Sequence, residues 1–291
     1  MPVTFHDLEA NGLRFHYARW GSDADPKPPL LLAHATGFCG MVWRRTAEQL
    51  ADRYDVYAFD RRGHGRSSKP EPPAEGLSGY AFDFFAADLV AALDVLRLSG
   101  VYLAGHSGGA SELLIAAARR PDLVSRIVAV EPILAPPDDS PTSTNVMAEQ
   151  AANRRATFVS AAAAIERFGS RPPFDDWEDD VLADYVEHAF APSPDGGIEL
   201  RCPPQIEAAM FRSGGEFPIP SILADVQCPV LIINGGRSGP QFELMAELAL
   251  EGLGDAIREI FPQSTHFVPM EAPDALAARI RDFGEDDRGA P

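Results

Sequence analysis

The stretch "VYLAGHSGGASELL", Val101 to Leu114, puts the tightest constraint on the fold. An apolar run of strand type ends, Gly105, Gly108 and Gly109 surround one serine, Ser107, and a helical pattern starts at once. Glycine is unfavourable inside either element, so its use here implies a turn too sharp for other residues. Gly105-His106-Ser107-Gly108-Gly109 fits Gly-x-Ser-x-Gly, a strained strand-to-helix turn that holds a serine exposed at its top. Such a turn needs a strand to feed it and a helix to leave it.

The rest of the chain supplies the same rhythm. "VTFHDLEANGLRFHYARW" reads as two strands joined at Asn11-Gly12, a strong hairpin signal. "PLLLAH", "YDVYAFD", "VYLAG", "SRIVAVEP", "PVLIING" and "AIREIF" read as further strands, with helical patterns such as "MVWRRTAEQLA" and "APDALAARIRDF" between them. This alternation predicts an α/β fold with a mostly parallel central sheet flanked by helices on both faces. The rhythm breaks between about Pro136 and Val226, where helical segments follow the proline-rich "APPDDSPTST" and no buried strand is evident. The expected organisation is a core of residues 1–136 and 227–291, with a helical cap, residues 137–226, inserted after the sixth strand. An insertion at that point belongs over the carboxyl ends of the strands, where open α/β sheets form their sites.

A serine hydroxyl is a poor nucleophile at neutral pH and needs a base. Of the seven histidines, His266 is the candidate, because "REIFPQSTHFVPMEAPDAL" puts it in the loop between the last strand and the last helix. His6 and His16 fall in the first hairpin, His34 and His64 in strand-end loops, and His188 on an acid-rich helix of the insertion. His106, inside the turn, is read as packing against the site and bordering the substrate pocket.

With "HATGF" after the third strand, "DRRGHGRSSKP" after the fourth, the serine turn, and "THFVPMEAPD" around the histidine, the chain resembles the α/β-hydrolase superfamily. The resemblance implies an α/β-hydrolase fold, a cap domain, and an oxyanion hole made by the N–H groups of Gly108 and Thr36. Position 35 is alanine where relatives carry glycine. The family's acid usually follows the strand "PVLIING", but Ser238 stands at that position. Glu131, at the carboxyl end of "RIVAVEP", is the replacement, since a buried charge there is costly unless paired. Some haloalkane dehalogenases and the zearalenone lactonase group also carry the acid at the end of strand six, and the latter is similar at "SGGAS". A structural glutamate bound to backbone N–H groups is the other reading, and Asp138 and Asp139 are the fallback acids. Asp60 is expected to brace the "RRGHGRS" loop.

The expected reaction is acyl transfer to water, with Ser107 as nucleophile, His266 as base and Glu131 orienting the imidazole. It requires no metal and no organic cofactor. Phe38 and Trp177, with other cap aromatics, point to a small to medium hydrophobic ester or lactone. Carbon–carbon hydrolysis of a diketone-like compound, and ligand binding with little turnover, are the alternatives. The net charge of −18 argues against nucleic acid and anionic membrane surfaces. Three scattered cysteines suit a reducing compartment. "MPVTFHDLEANGLRF" lacks the pattern of a signal peptide, and no apolar run is long enough to span a bilayer. The expectation is a cytoplasmic protein with a small-molecule partner, and a homo-oligomer is left open.

Overall fold

The computed structural model describes residues 2–71, 79–134, 142–213 and 218–286. Asp138 and Asp139 lie outside them. β1 (Thr4–Ala10) and β2 (Leu13–Trp20) form the expected hairpin. Asn11 and Gly12 between them both take positive φ, 47° and 73°, the twist that a two-residue turn needs. β3 (Pro29–Ala33), β4 (Asp55–Phe59), β5 (Val101–His106) and β6 (Val124–Val130) follow. They alternate with α1 (Arg44–Leu50), α2 (Phe82–Leu96) and α3 (Gly108–Arg119).

The insertion contains α4 (Thr142–Ala152), α5 (Ala161–Gly169), α6 (Asp179–Ala189) and α7 (Pro204–Ser213). It also holds β7 (Thr157–Phe158), β8 (Phe190–Pro192) and β9 (Ile198–Leu200), a small antiparallel sheet in the order β7-β9-β8. A purely helical insertion was expected, but strands of two or three residues are too short to show alternation in sequence. Ile219 and Leu223 already pack with the α3 side of the core, so the chain rejoins the sheet layer a few residues before Val226. β10 (Val230–Gly235), α8 (Pro240–Gly252), β11 (Ala256–Phe261), α9 (Val268–Glu271) and α10 (Pro273–Glu285) complete the fold.

The main sheet has the order β1-β2-β4-β3-β5-β6-β10-β11, and β2 alone runs against the rest. Its central strands are mostly apolar because both faces are covered. Leu30, Leu32, Tyr102, Ala104, Val128, Val130, Leu231 and Ile233 face the layer that includes α1 and α10. Leu31, Ala33, Val101, Leu103, Ile127, Ala129, Val230 and Ile232 face α2, α3 and α8. Most of the insertion's aromatic core, Phe158, Phe168, Trp177, Tyr185 and Phe190, is continuous with the first of these layers, while Ala148, Ala151 and Ala208 form a small cluster of their own between α4 and α7. That continuity seats it firmly over one end of the sheet. Among the described residues no helix is long and apolar enough to cross a membrane.

Candidate active site

Ser107 stands between β5 and α3 with φ 56° and ψ −125°, a conformation that L residues rarely take. Strain of this kind costs on the order of 1–3 kcal/mol and persists only where the surroundings enforce it. Here the Ser107 N–H donates to Val130 O at 2.9 Å, and its carbonyl accepts from the Ser111 N–H at 3.1 Å. The flanking glycines are needed for close approach. A Cβ on Gly109 would lie 2.5 Å from the Ala33 carbonyl oxygen, and one on Gly105 would lie 2.9 Å from the Ala110 nitrogen.

His266 stands in the turn between β11 and α9, and its Nδ1 lies 3.2 Å from Glu131 Oε2. A carboxylate can only accept, so Nδ1 carries the ring proton and Nε2 keeps a lone pair. The imidazole is held flat against Phe242, with ring centroids 4.4 Å apart. Glu131 is fully buried at the end of β6. Its other oxygen, Oε1, accepts from the Gly235 N–H at 2.6 Å, the Ser238 hydroxyl at 2.9 Å and Asn234 Nδ2 at 3.3 Å. One oxygen of Glu131 is thus bound by backbone and loop donors and the other faces the histidine. Ser238, at the position where the family usually carries its acid, bonds to Glu131.

The loop after β3 is equally organised. Its positive φ falls on Gly37, at 87°, and Ala35 needs no glycine. Gly37 N–H donates to His64 Nε2 at 2.9 Å, and Phe38 N–H to Ala35 O at 3.3 Å. Among the described residues the Thr36 and Gly108 N–H groups have no hydrogen-bond partner. Thr36 Oγ1 is 3.1 Å from where a Gly108 Cβ would stand, so the two residues are neighbours beside Ser107.

Ser107, Thr36, Phe38 and His266 all line one cavity of about 630 Å³. Its far wall comes from the insertion, including Met147, Phe158, Phe168, Phe174 and Phe211, so the insertion covers the serine. Among the described residues no hydrogen bond joins Ser107 to His266. Bonds of this kind are often long in empty sites and tighten when substrate is bound.

A family model for the alpha/beta hydrolase fold matches residues 28–273. The chain is an α/β hydrolase. The hydrolase is 28% identical over 267 residues to 2-(acetamidomethylene)succinate hydrolase of Mesorhizobium japonicum, covering 88% of this chain and 87% of that one. It is 27% identical over 278 residues to N-formylmaleamate deformylase of Pseudomonas putida, covering 95% of each. Among solved structures, that of E-2-(acetamidomethylene)succinate hydrolase superposes with a TM-score of 0.81 at 23% identity, over 98% of this chain and all of that one. The enol-lactonase from Burkholderia xenovorans gives 0.76 at 19%, over 97% and 100%. At these identities the two structures show the fold alone.

Two residues expected to border the hydrolase's substrate pocket stand behind its wall instead. His106 is fully buried and is absent from the cavity lining. Its Nε2 sits 2.7 Å from the His266 carbonyl oxygen, so its N–H donates there and holds the backbone of His266. Burial, followed by the nearby His266, pushes its pKa well down and keeps it neutral. Trp177 is buried behind the lining rings of Phe38, Phe174 and Phe267, with centroids 5.3, 4.8 and 5.7 Å away, and shapes the pocket through them.

Sequence reading left His34 and His64 as plain loop residues. Both are fully buried and brace the loop after β3. His34 Nδ1 donates to Ala35 O at 2.7 Å, and its Nε2 accepts from the Arg61 N–H at 3.1 Å. His64 Nδ1 donates to Arg62 O at 2.9 Å while its Nε2 receives Gly37. Burial pushes the His34 pKa down to about 3, assisted by Arg61, and pushes that of His64 well below the usual histidine range. Both therefore stay neutral, with one nitrogen free to accept. Asp60 braces the next loop as expected, accepting from Gly40 N–H at 2.9 Å and Arg66 N–H at 2.8 Å.

Proposed function

We propose that this hydrolase cleaves the acyl bond of a carboxylic ester or lactone through a Ser107–His266–Glu131 triad and an acyl-enzyme. Ser107 Oγ attacks the carbonyl carbon and its proton passes to His266 Nε2. The oxyanion that forms is held by the Thr36 and Gly108 N–H groups, where preorganised donors contribute most. His266 then gives the proton to the leaving group, and a water activated by the same nitrogen releases the acid. Glu131 keeps the ring proton on Nδ1 throughout. The observation that carries this reading is the juxtaposition on one cavity of a strained serine, a histidine oriented by a buried carboxylate, and Thr36, whose N–H has no partner among the described residues.

An amide-type acyl bond is a second reading, supported by the names of the two full-length relatives, a deformylase of an N-formyl compound and a hydrolase of an acetamido compound. The same residues serve both reactions, and only the leaving group differs. In either case the insertion acts as a cap whose aromatic wall selects the substrate.

A fluorophosphonate probe tests the reading directly. Folded protein should be labelled at Ser107, and Ser107→Ala should not be labelled. Absence of labelling in folded wild type would remove the serine-hydrolase reading. A panel of 4-nitrophenyl esters, lactones and N-acyl amides would then rank the acyl bonds cleaved.

A further inference from the structure

The cavity over Ser107 is not uniformly apolar. Arg154, Arg155, Arg167 and Arg171 line it, against a single lining carboxylate among the described residues, Glu207. Arg154 is neutralised: its Nη1 donates to Glu207 Oε2 at 2.6 Å and its Nη2 to the Tyr185 hydroxyl at 3.0 Å. The other three have no acidic partner among the described residues. Arg155 Nε donates to Thr157 O at 2.9 Å and Arg171 Nε donates to Arg167 O at 3.2 Å. Each of those two is thus pinned by its Nε, which leaves the terminal fork free. The Arg155 guanidinium also lies over the Phe158 ring, 4.8 Å from its centroid. Desolvation, followed by the charges of Arg171 and Arg155, lowers the pKa of Arg167, so the three cations lie close enough to repel one another. In a chain of net charge −18, with acid in plentiful supply, such a cluster on a cavity wall calls for an anion.

We propose that Arg155, Arg167 and Arg171 form an anion subsite that binds a carboxylate carried by the substrate at a distance from its scissile acyl bond. The planar guanidinium fork matches a carboxylate in two parallel hydrogen bonds. A singly charged carboxylate also meets less repulsion from the acidic surface than a more highly charged phosphate would. The hydrophobic substrate expected from the cap aromatics becomes an amphiphilic one, with an apolar middle on Phe158, Phe168 and Phe174 and an anionic end on the arginines. This rests on the hydrolase reading of Ser107, and the test separates the two.

The probes are mono-4-nitrophenyl glutarate and its neutral counterpart of equal chain length, 4-nitrophenyl pentanoate. Wild type should favour the anionic ester in kcat/KM by about tenfold or more, as hydrogen bonds to charged groups allow. Added salt should reduce that preference. Arg167→Gln with Arg171→Gln should lower the ratio of anionic to neutral kcat/KM by at least about tenfold, mostly through KM. Arg53→Gln, which removes one distant positive charge paired with Glu285, should leave the ratio unchanged. Glutarate should bind Ser107→Ala by calorimetry, and the two added glutamines should abolish that binding. Turnover of the neutral ester without glutarate binding, or with an unchanged ratio in the double variant, would overturn the subsite. Glutarate binding with no turnover of either ester would leave the subsite standing and overturn the hydrolase reading.

Discussion

Replacing Glu131 by glutamine changes one atom and one charge, and the surroundings dictate how the new amide must sit. Three donors converge on the Oε1 position, from Gly235 at 2.6 Å, Ser238 at 2.9 Å and Asn234 at 3.3 Å. Only the Ser238 hydroxyl can turn round and accept. An NH₂ group placed there would face two fixed N–H donors, at a cost of about 1–3 kcal/mol for each unsatisfied group. The amide oxygen therefore takes that side, and the NH₂ points at His266 Nδ1, which lies 3.2 Å from Oε2 in the native protein. Facing a donor, Nδ1 must accept, so the ring proton moves to Nε2 and nothing is left to take the proton of Ser107. The analogous change in a serine protease lowers kcat by about 10⁴, or about 5.5 kcal/mol of barrier. KM should change little, because Glu131 is not part of the cavity wall. The assay is steady-state cleavage of a 4-nitrophenyl ester, with thermal unfolding to confirm the fold. A folded Glu131→Gln enzyme that kept about a tenth or more of wild-type kcat would refute the reasoning, because His266 would then hold its tautomer without the carboxylate. Adding Ser238→Asp to Glu131→Gln should recover part of the rate, since that side chain already reaches the acid.

Three further outcomes follow from the same geometry. Burial holds the folded-state pKa of His64 well below the usual histidine value of about 6.5, so its neutral form stabilises the protein above about pH 6.5 and that stability is lost as pH falls. By pH 5.5 the loss should be about 1–1.5 kcal/mol for this one residue, read as a steeper fall in urea midpoint for wild type than for His64→Gln; equal slopes would contradict the neutral assignment. Ser107→Gly should unfold at a higher temperature than Ser107→Ala, by about 1 kcal/mol of stability, because φ at position 107 is 56°; the opposite order would mean the turn is not strained. Gly65→Ala should cost about 2 kcal/mol or more and impair turnover, because its Cβ would fall 2.0 Å from Asp60 Oδ2, the brace of Gly40 and Arg66; a neutral effect on thermal unfolding would show that Asp60 can move freely.

What was legible in the sequence was what local chemistry dictates. β3, β5, β10 and the second half of β6, Ile127–Val130, read as largely apolar runs because each is covered on both faces. Ser107 was legible because its turn needs glycines at fixed positions, and His266 because one loop follows the last strand. The braces were not legible. His64 meets Gly37 across 27 residues and His34 meets Arg61 across the same separation, and no short pattern records such pairs. His106 sits next to the nucleophile in sequence, yet its ring points back to the His266 backbone. The cavity arginines could have been noticed, since "NRRATF" and "ERFGSRPP" are basic in an acidic chain. What sequence alone could not supply was which of them had no acid partner.

The displaced acid has a simple geometric basis in the sheet. β6 and β10 are parallel neighbours, with Val130 opposite Ile233, so their carboxyl ends open onto the same point in space. The Glu131 N–H donates to Ile233 O at 2.8 Å, and φ of 50° at Glu131 turns the chain just past the end of the pairing. A side chain starting at the end of β6 can therefore place a carboxylate where a loop residue after β10 would otherwise place one. The longer glutamate makes up the extra reach that an aspartate from the nearer loop would not need. Once the acid arrives from β6, the loop after β10 has a different task, which is to satisfy the oxygen that does not face the histidine. Gly235, Asn234 and Ser238 do that with three donors. A carboxylate at position 238 would put two like charges against each other in a dry site, raising the cost of both. A serine at 238 and a glutamate at 131 are thus one coupled choice, and changing either alone should be more damaging than changing both.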